Sequence, residues 1–181
     1  MRASSSSSPV LILPGRGNSD PQHWQSLWEA ANPGFQRVIQ DEWERVECTA
    51  WQQRVESAVA AAGSGTVLAA HSLGCLLAVH WAAHARGRIR GALLVGVPDP
   101  SRASFPPELV GFAPVPMQKL PFASIVVAST NDVYGSWEYS RACAAAWGSR
   151  LVTIGAAGHI NTASGFGPWH EGFALLDELR G

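Results

Sequence analysis

The chain has 181 residues, 46% hydrophobic and only 15% charged, with a net charge of −1. That length suits one ordinary domain, the apolar content excludes a disordered chain, and the absence of any basic run excludes the electrostatic footprint of a nucleic-acid binder. Eight tryptophans are the one compositional oddity, and such large amphipathic rings suit both cores and apolar binding sites.

Met1-Arg2-Ala3 leads into a serine run from Ser4 to Ser8, which predicts a flexible arm over residues 1–8 ahead of a single domain over 9–181. A secretory signal needs about 7–15 apolar residues, and only Val10-Leu11-Ile12-Leu13 precedes Pro14. That short run instead predicts a first strand, buried on both faces. Asp20-Pro21 predicts a helix start, with Asp20 as N-cap, and Asn32-Pro33-Gly34 its end. A short strand is expected at 37–39. A helix over 49–62 follows, since Trp51, Val55, Ala58, Val59 and Ala62 recur at helical spacing. The pattern then predicts a strand at 66–70, a helix at 73–86, and strands at 92–97, 125–128 and 151–154, with helices at 136–147 and 169–179. Strands alternating with helices define an α/β class: a mostly parallel sheet of about five to six strands, covered by helices on both faces as a three-layer sandwich.

One connection is out of proportion. Residues 98–123 carry Pro98, Pro100, Pro106 and Pro107 among other prolines, and a loop that long predicts a small lid or a functional long loop. Residues 65–85 approach the length of a membrane span, but His71, Ser72 and His80 interrupt them, so a buried strand–turn–helix is expected and no span. Cys48, Cys75 and Cys143 are odd in number and widely spaced, which predicts neither disulfides nor a zinc site and suits a reducing cytoplasm. His80 and His84 have zinc-helix spacing, but Trp81 stands where the essential Glu belongs. Gly15-x-Gly17 begins a dinucleotide fingerprint that fails for want of its third glycine, Asp20 standing there. No metal and no cofactor is expected.

Ser72 sits in A-x-S-x-G on a strand–turn–helix segment, close to the G-x-S-x-G nucleophile elbow, with Ala70 and Gly74 as the small residues that so tight a turn requires. The turn would hold the Ser72 hydroxyl above a helix N-terminus, where the Leu73 amide faces a developing oxyanion. A serine there also serves as an ordinary N-cap. The pattern requires an acid and then a histidine, each on a loop after a later strand. Asp132 and His159 occupy those places. Asp99, after the 92–97 strand, is a rival acid, and Asp132 also suits a turn. The loop after the first strand should supply a second oxyanion donor, from the Arg16 amide or the neighbouring Gly17. His71 reads as a packing or hydrogen-bonding residue, because its ring would have to fold back to reach Ser72.

These residues carry a resemblance. Leu13-Pro14-Gly15, His23-Trp24-Gln25 with Trp28, His71-Ser72-Leu73-Gly74-Cys75, Ser129-x-Asn131-Asp132, and Gly158-His159-Ile160-Asn161 through Ser164-Gly165-Phe166-Gly167-x-Trp169 resemble small serine hydrolases of the YdeN and retinoblastoma-binding-protein type. They form a compact branch of the α/β-hydrolases. The resemblance spans nearly the whole chain and implies a triad of Ser72, Asp132 and His159 on a sheet without N-terminal antiparallel strands. It also implies esterase or aminopeptidase-like chemistry on ill-defined substrates. The L-x-C-x-E peptide behind the retinoblastoma-binding label is absent, because Glu47-Cys48-Thr49 lacks its Leu and Glu.

The expected function is therefore hydrolysis of a small-molecule substrate, a fairly apolar ester, thioester or amide, through an acyl-enzyme. Trp24 and Trp169, beside the loops of the catalytic edge, are the tryptophans expected to line an apolar pocket. The alternative is a non-enzymatic interaction module on the same fold. A peroxidase-like or acyltransferase use of the same acyl-enzyme is a third reading.

Overall fold

The structure is a computed structural model that describes residues 8–85 and 89–181. In chain order the elements are β1 (Val10–Leu13), α1 (Trp24–Ala31), β2 (Phe35–Arg37), α2 (Cys48–Ala62), β3 (Val67–His71), α3 (Leu73–Ala82), β4 (Gly91–Val95), β5 (Ala123–Ala128), α4 (Trp137–Trp147), β6 (Arg150–Thr153) and α5 (His170–Arg180). The six strands form one sheet in the order β2-β1-β3-β4-β5-β6, every pair parallel.

Alternation along the strands builds the two faces. Leu11, Leu13, Leu68, Ala70, Leu94 and Val126 turn towards α2, α3 and α4. Val10, Ile12, Val67, Ala69, Leu93 and Val127 turn towards α1 and α5. The strands are apolar without interruption because both faces are covered, and each buried Leu or Val contributes about 1.5–3 kcal/mol. The expected three-layer α/β sandwich thus stands as six parallel strands and five helices.

The order of the strands fixes where a site can form. From β1 the chain steps outward to β2, then crosses back to lay β3 on the other side of β1. A crevice opens at such a switch, at the carboxyl ends of the strands. Register aligns those ends: Leu13 pairs with Ala70, and His71 with Val95. The turn after β3 presses against the end of β1, where a Cβ at Gly74 would overlap the Leu13 carbonyl, and one at Gly15 would lie 2.9 Å from Ser72 Cβ. Glycine at both positions lets the two loops touch.

Several boundaries differ from expectation. Asp20-Pro21 does not start α1: Asp20 Oδ1 accepts from the Gln22 amide, closing an Asx turn. His23 is the N-cap instead, its Nδ1 accepting from the Gln25 amide at 3.1 Å. Strand β2 lies two residues before 37–39, because Arg37 is anchored by Glu29, Asn18 and Ser26, leaving Ile39 exposed. Helix α3 ends at Ala82, and the predicted terminus at Arg86 lies outside the described residues. The arm over 1–8 does too, except Ser8, which exchanges hydrogen bonds with Arg180.

The long connection over 98–123 is stapled down. Val46 donates to Glu108, Val110 to Val46 and Cys48 to Val110 through backbone hydrogen bonds of 2.8–3.0 Å, and Phe112 is buried in the core. His80 Nε2 donates to the Phe112 carbonyl, so the zinc-like spacing serves packing. Among the described residues no cluster of three metal-ligating side chains occurs, and no helix is long and apolar enough to cross a membrane.

Candidate active site

Ser72 closes the turn between β3 and α3 with φ 54° and ψ −124°, a sparsely populated conformation that costs a side-chain-bearing residue about 1–3 kcal/mol. Its hydroxyl makes no capping bond to α3. Ordinary N-capping therefore does not explain it. The hydroxyl instead lies 2.8 Å from His159 Nε2, and His159 Nδ1 lies 2.8 Å from Asp132 Oδ2. A carboxylate only accepts, so Nδ1 carries the hydrogen and Nε2 is left bare to accept from Ser72. Asp132 Oδ1 accepts from the Tyr134 amide at 2.9 Å, which fixes the carboxylate. Both Asp132 and His159 are buried. The rival Asp99 spends Oδ1 on the Ser101 amide and hydroxyl and makes no bond to His159.

The loop after β6 is held from several sides. Ser129 Oγ accepts from the Ala157 amide and Asn131 Oδ1 from the Gly158 amide, which ties it to the loop after β5. Ser164 Oγ accepts from the His159 amide and donates to Asn161 Oδ1. Gly158 has φ +57°, and a Cβ there would meet Ser164 Oγ at 2.5 Å. His71 Nε2 donates to the His159 carbonyl at 2.8 Å, in keeping with its reading as a hydrogen-bonding residue.

Trp24 and Trp169 do not line the cavity beside Ser72. They are buried behind the His159 loop between α1 and α5, with ring centroids 5.3 Å apart. Trp24 Nε1 donates to the Ile160 carbonyl, and Trp28 Nε1 to that of Pro168. Their proximity to the site in sequence reflects buttressing of this loop. Gln25 is a further residue that local pattern does not single out. Buried at the sheet edge, it donates to the Leu13 and Ala69 carbonyls, and only the His23-Trp24-Gln25 resemblance pointed at it.

Of the two expected oxyanion donors in the first loop, Gly17 is corrected. Its amide already donates to the Trp43 carbonyl at 3.0 Å. The Arg16 amide has no acceptor among the described residues, and the Leu73 amide, first in α3, has none within the helix. The Arg16 guanidinium pairs with Glu44 at 3.1 Å over the mouth. The cavity encloses about 630 Å³, with Ser72 and His159 on its floor and Pro98, Phe105, Pro106 and Leu109 along one wall. The Tyr134 ring stands 4.4 Å from that of His159.

Two neutral histidines lie beneath. Burial pushes the His23 pKa down to about 4, the Arg37 charge helping against Asp20. Burial likewise presses His71 well below the ordinary value, and His159 beside it acts the same way. An unfolded histidine titrates near 6.5, so between about pH 6.5 and 4 the unfolded chain binds more protons than the folded one. Stability is complete above that window and falls as pH drops through it, by up to ~1.4 kcal/mol per unit per ring. Circular dichroism melts from pH 8 to 4.5 are expected to show a midpoint that declines steadily below about 6; a constant midpoint contradicts the burial argument.

A parallel sheet, a strained serine at its switch point and a histidine–carboxylate pair beside it define the α/β-hydrolase class. The chain belongs to the serine hydrolase family, whose profile matches residues 10–178. It is 32% identical to a YdeN-like hydrolase from Pectobacterium atrosepticum, over 95% of this chain and 90% of that one, with a TM-score of 0.84. The ydeN product of B. subtilis is 18% identical over 95% and 98% of the chains, TM-score 0.73. Thermogutta terrifontis esterase 2, solved as a cyclosarin phosphonate, is 18% identical over 95% and 81%, TM-score 0.72, a likeness of fold. No curated protein matches the chain.

Proposed function

We propose that this serine hydrolase cleaves small, fairly apolar carboxylic esters, with thioesters and amides as the related alternatives, by way of an acyl-enzyme on Ser72. The observation that carries this reading is the 2.8 Å contact of Ser72 Oγ with His159 Nε2, made in place of a capping bond. His159 takes the Ser72 proton as Oγ attacks the acyl carbon, then gives it to the departing alcohol. Water enters, loses a proton to His159 and releases the acid, restoring Ser72. Asp132 keeps the imidazole in the required tautomer and stabilises its charged form. The Leu73 and Arg16 amides hold the oxyanion.

Esterases among the solved structures that share the fold make an ester the first substrate to try. Residues 9–181 act as one domain in this reading, and 98–123 serves as a fixed wall of the acyl pocket. Three buried free thiols fit a reducing compartment, and we place the protein in the cytoplasm. Stopped-flow hydrolysis of p-nitrophenyl acetate tests the chemistry. An acyl-enzyme predicts a p-nitrophenol burst close to one equivalent per site whenever deacylation is the slower step. Mass spectrometry of the quenched reaction then finds the acetyl group on Ser72; hydrolysis with acetyl on another residue overturns the assignment.

A further inference from the structure

The cavity has two unlike walls. Phe105, Pro106 and Leu109 make one of them apolar. The other is built from Asn18, Asp20, His23, Asn161 and Thr162, and its acceptors are already engaged. Asn18 Oδ1 accepts from the Ser19 amide at 2.8 Å and from Arg37 Nη1 at 2.7 Å. Asn161 Oδ1 accepts from the Ser164 amide and hydroxyl. His23 Nδ1 accepts from the Gln25 amide. Asp20 accepts from Gln22 and from the Thr162 hydroxyl, one bond on each oxygen.

These bonds settle the orientation of every amide and ring on that wall, because backbone N–H and guanidinium groups can only donate. Two nitrogen donors remain for a ligand, Asn18 Nδ2 and Asn161 Nδ2, and neither has a partner among the described residues. His23 Nε2 is unpartnered as well, but it is fully buried and out of reach of a ligand oxygen. Asp20, Glu44 and Asp99 line the cavity with negative charge, and the nearby cations Arg16 and Arg37 are already paired, with Glu44 and Glu29. An anionic ligand is disfavoured there.

We infer that the Asn18 and Asn161 amide groups form a subsite for an uncharged oxygen acceptor, so that the preferred substrate is an apolar ester carrying a second carbonyl or ether oxygen. The inference rests on the acyl-enzyme reading only for what the bound molecule then undergoes. The apolar arm packs against Phe105 and Leu109 while the second oxygen accepts from an asparagine amide, with the reacting carbonyl at Ser72. One hydrogen bond of this kind contributes roughly three- to tenfold in affinity.

Calorimetry on the Ser72→Ala protein tests this without turnover. The ligands are N-butylpentanamide, its 4-oxopentanoyl counterpart, and N-(2-methoxyethyl)pentanamide, which place the extra oxygen in the acyl or the amine half at nearly constant size. At least one oxygen-bearing ligand is expected to bind about tenfold more tightly than the parent. In Ser72→Ala carrying Asn161→Asp or Asn18→Asp as well, which keep the internal Oδ1 contacts but lose the donor, that preference drops below about twofold. Equal binding of all three, or a preference unchanged in both variants, overturns the subsite. So does tighter binding of the matching succinamate, whose arm ends in a carboxylate. Failure of the unsubstituted serine protein to hydrolyse any ester, with the binding preference intact, would refute the acyl-enzyme reading and leave the subsite standing.

Discussion

Replacing Ser72 by alanine is expected to lower kcat/KM on p-nitrophenyl acetate by on the order of 10⁶-fold, and His159→Ala by a similar factor. The two groups act as one device. Without the imidazole the hydroxyl proton has no acceptor, and without the hydroxyl the imidazole has nothing to activate. The double variant should therefore be no worse than either single one. Ser72→Ala also keeps the Cβ at the strained position, so the positive φ and the elbow remain, and unfolding experiments should find stability nearly unchanged. Retention of more than about a tenth of the activity in either single variant contradicts the assignment, because loss of the nucleophile or of its base costs several orders of magnitude.

The second large effect distinguishes the two acids. In Asp132→Asn the amide nitrogen turned to His159 donates rather than accepts, which forces the imidazole to carry its hydrogen on Nε2. Ser72 then faces a donor, and kcat is expected to fall about 10⁴-fold. Asp99→Asn should cost less than about tenfold, because Asp99 is spent on Ser101 and makes no bond to His159. Parallel assays of the two variants decide the matter: a larger loss in Asp99→Asn would reverse the roles.

The fold was legible because its signals are local. Val10–Leu13 and Gly91–Val95 are uninterrupted apolar runs of strand length, and the strand–helix alternation prescribes a parallel sheet. Positions after strands were legible as well. Ser72, Asp132 and His159 each follow a strand, and the aligned register brings Ser72 and Asp132 each to 2.8 Å of His159. What stayed hidden depends on segments far apart in the chain. Gly17 reads as a free donor until the Trp43 carbonyl, on a loop with no local signature, takes its amide. Asp20 reads as a cap because nothing nearby announces the Asx turn or the contact with Thr162, 142 positions on.

The tryptophans misled for a related reason. Trp24 and Trp169 lie close to the site in sequence, yet they face the layer between α1 and α5. A ring next to a functional loop can support it from behind as readily as line the space in front. The resemblance to small serine hydrolases covered these segments without telling the two cases apart. The Ser129, Asn131, Asn161 and Ser164 contacts show what these segments do: they brace the loop that carries His159.

The most direct test of the central claim is labelling with a fluorophosphonate at neutral pH, read by peptide mass spectrometry. Only a serine made nucleophilic by a neighbouring base reacts quickly with such a probe. One adduct per chain is predicted, on Ser72, and it should vanish in both Ser72→Ala and His159→Ala. No adduct on the folded protein, or an adduct on any other residue, would contradict the account.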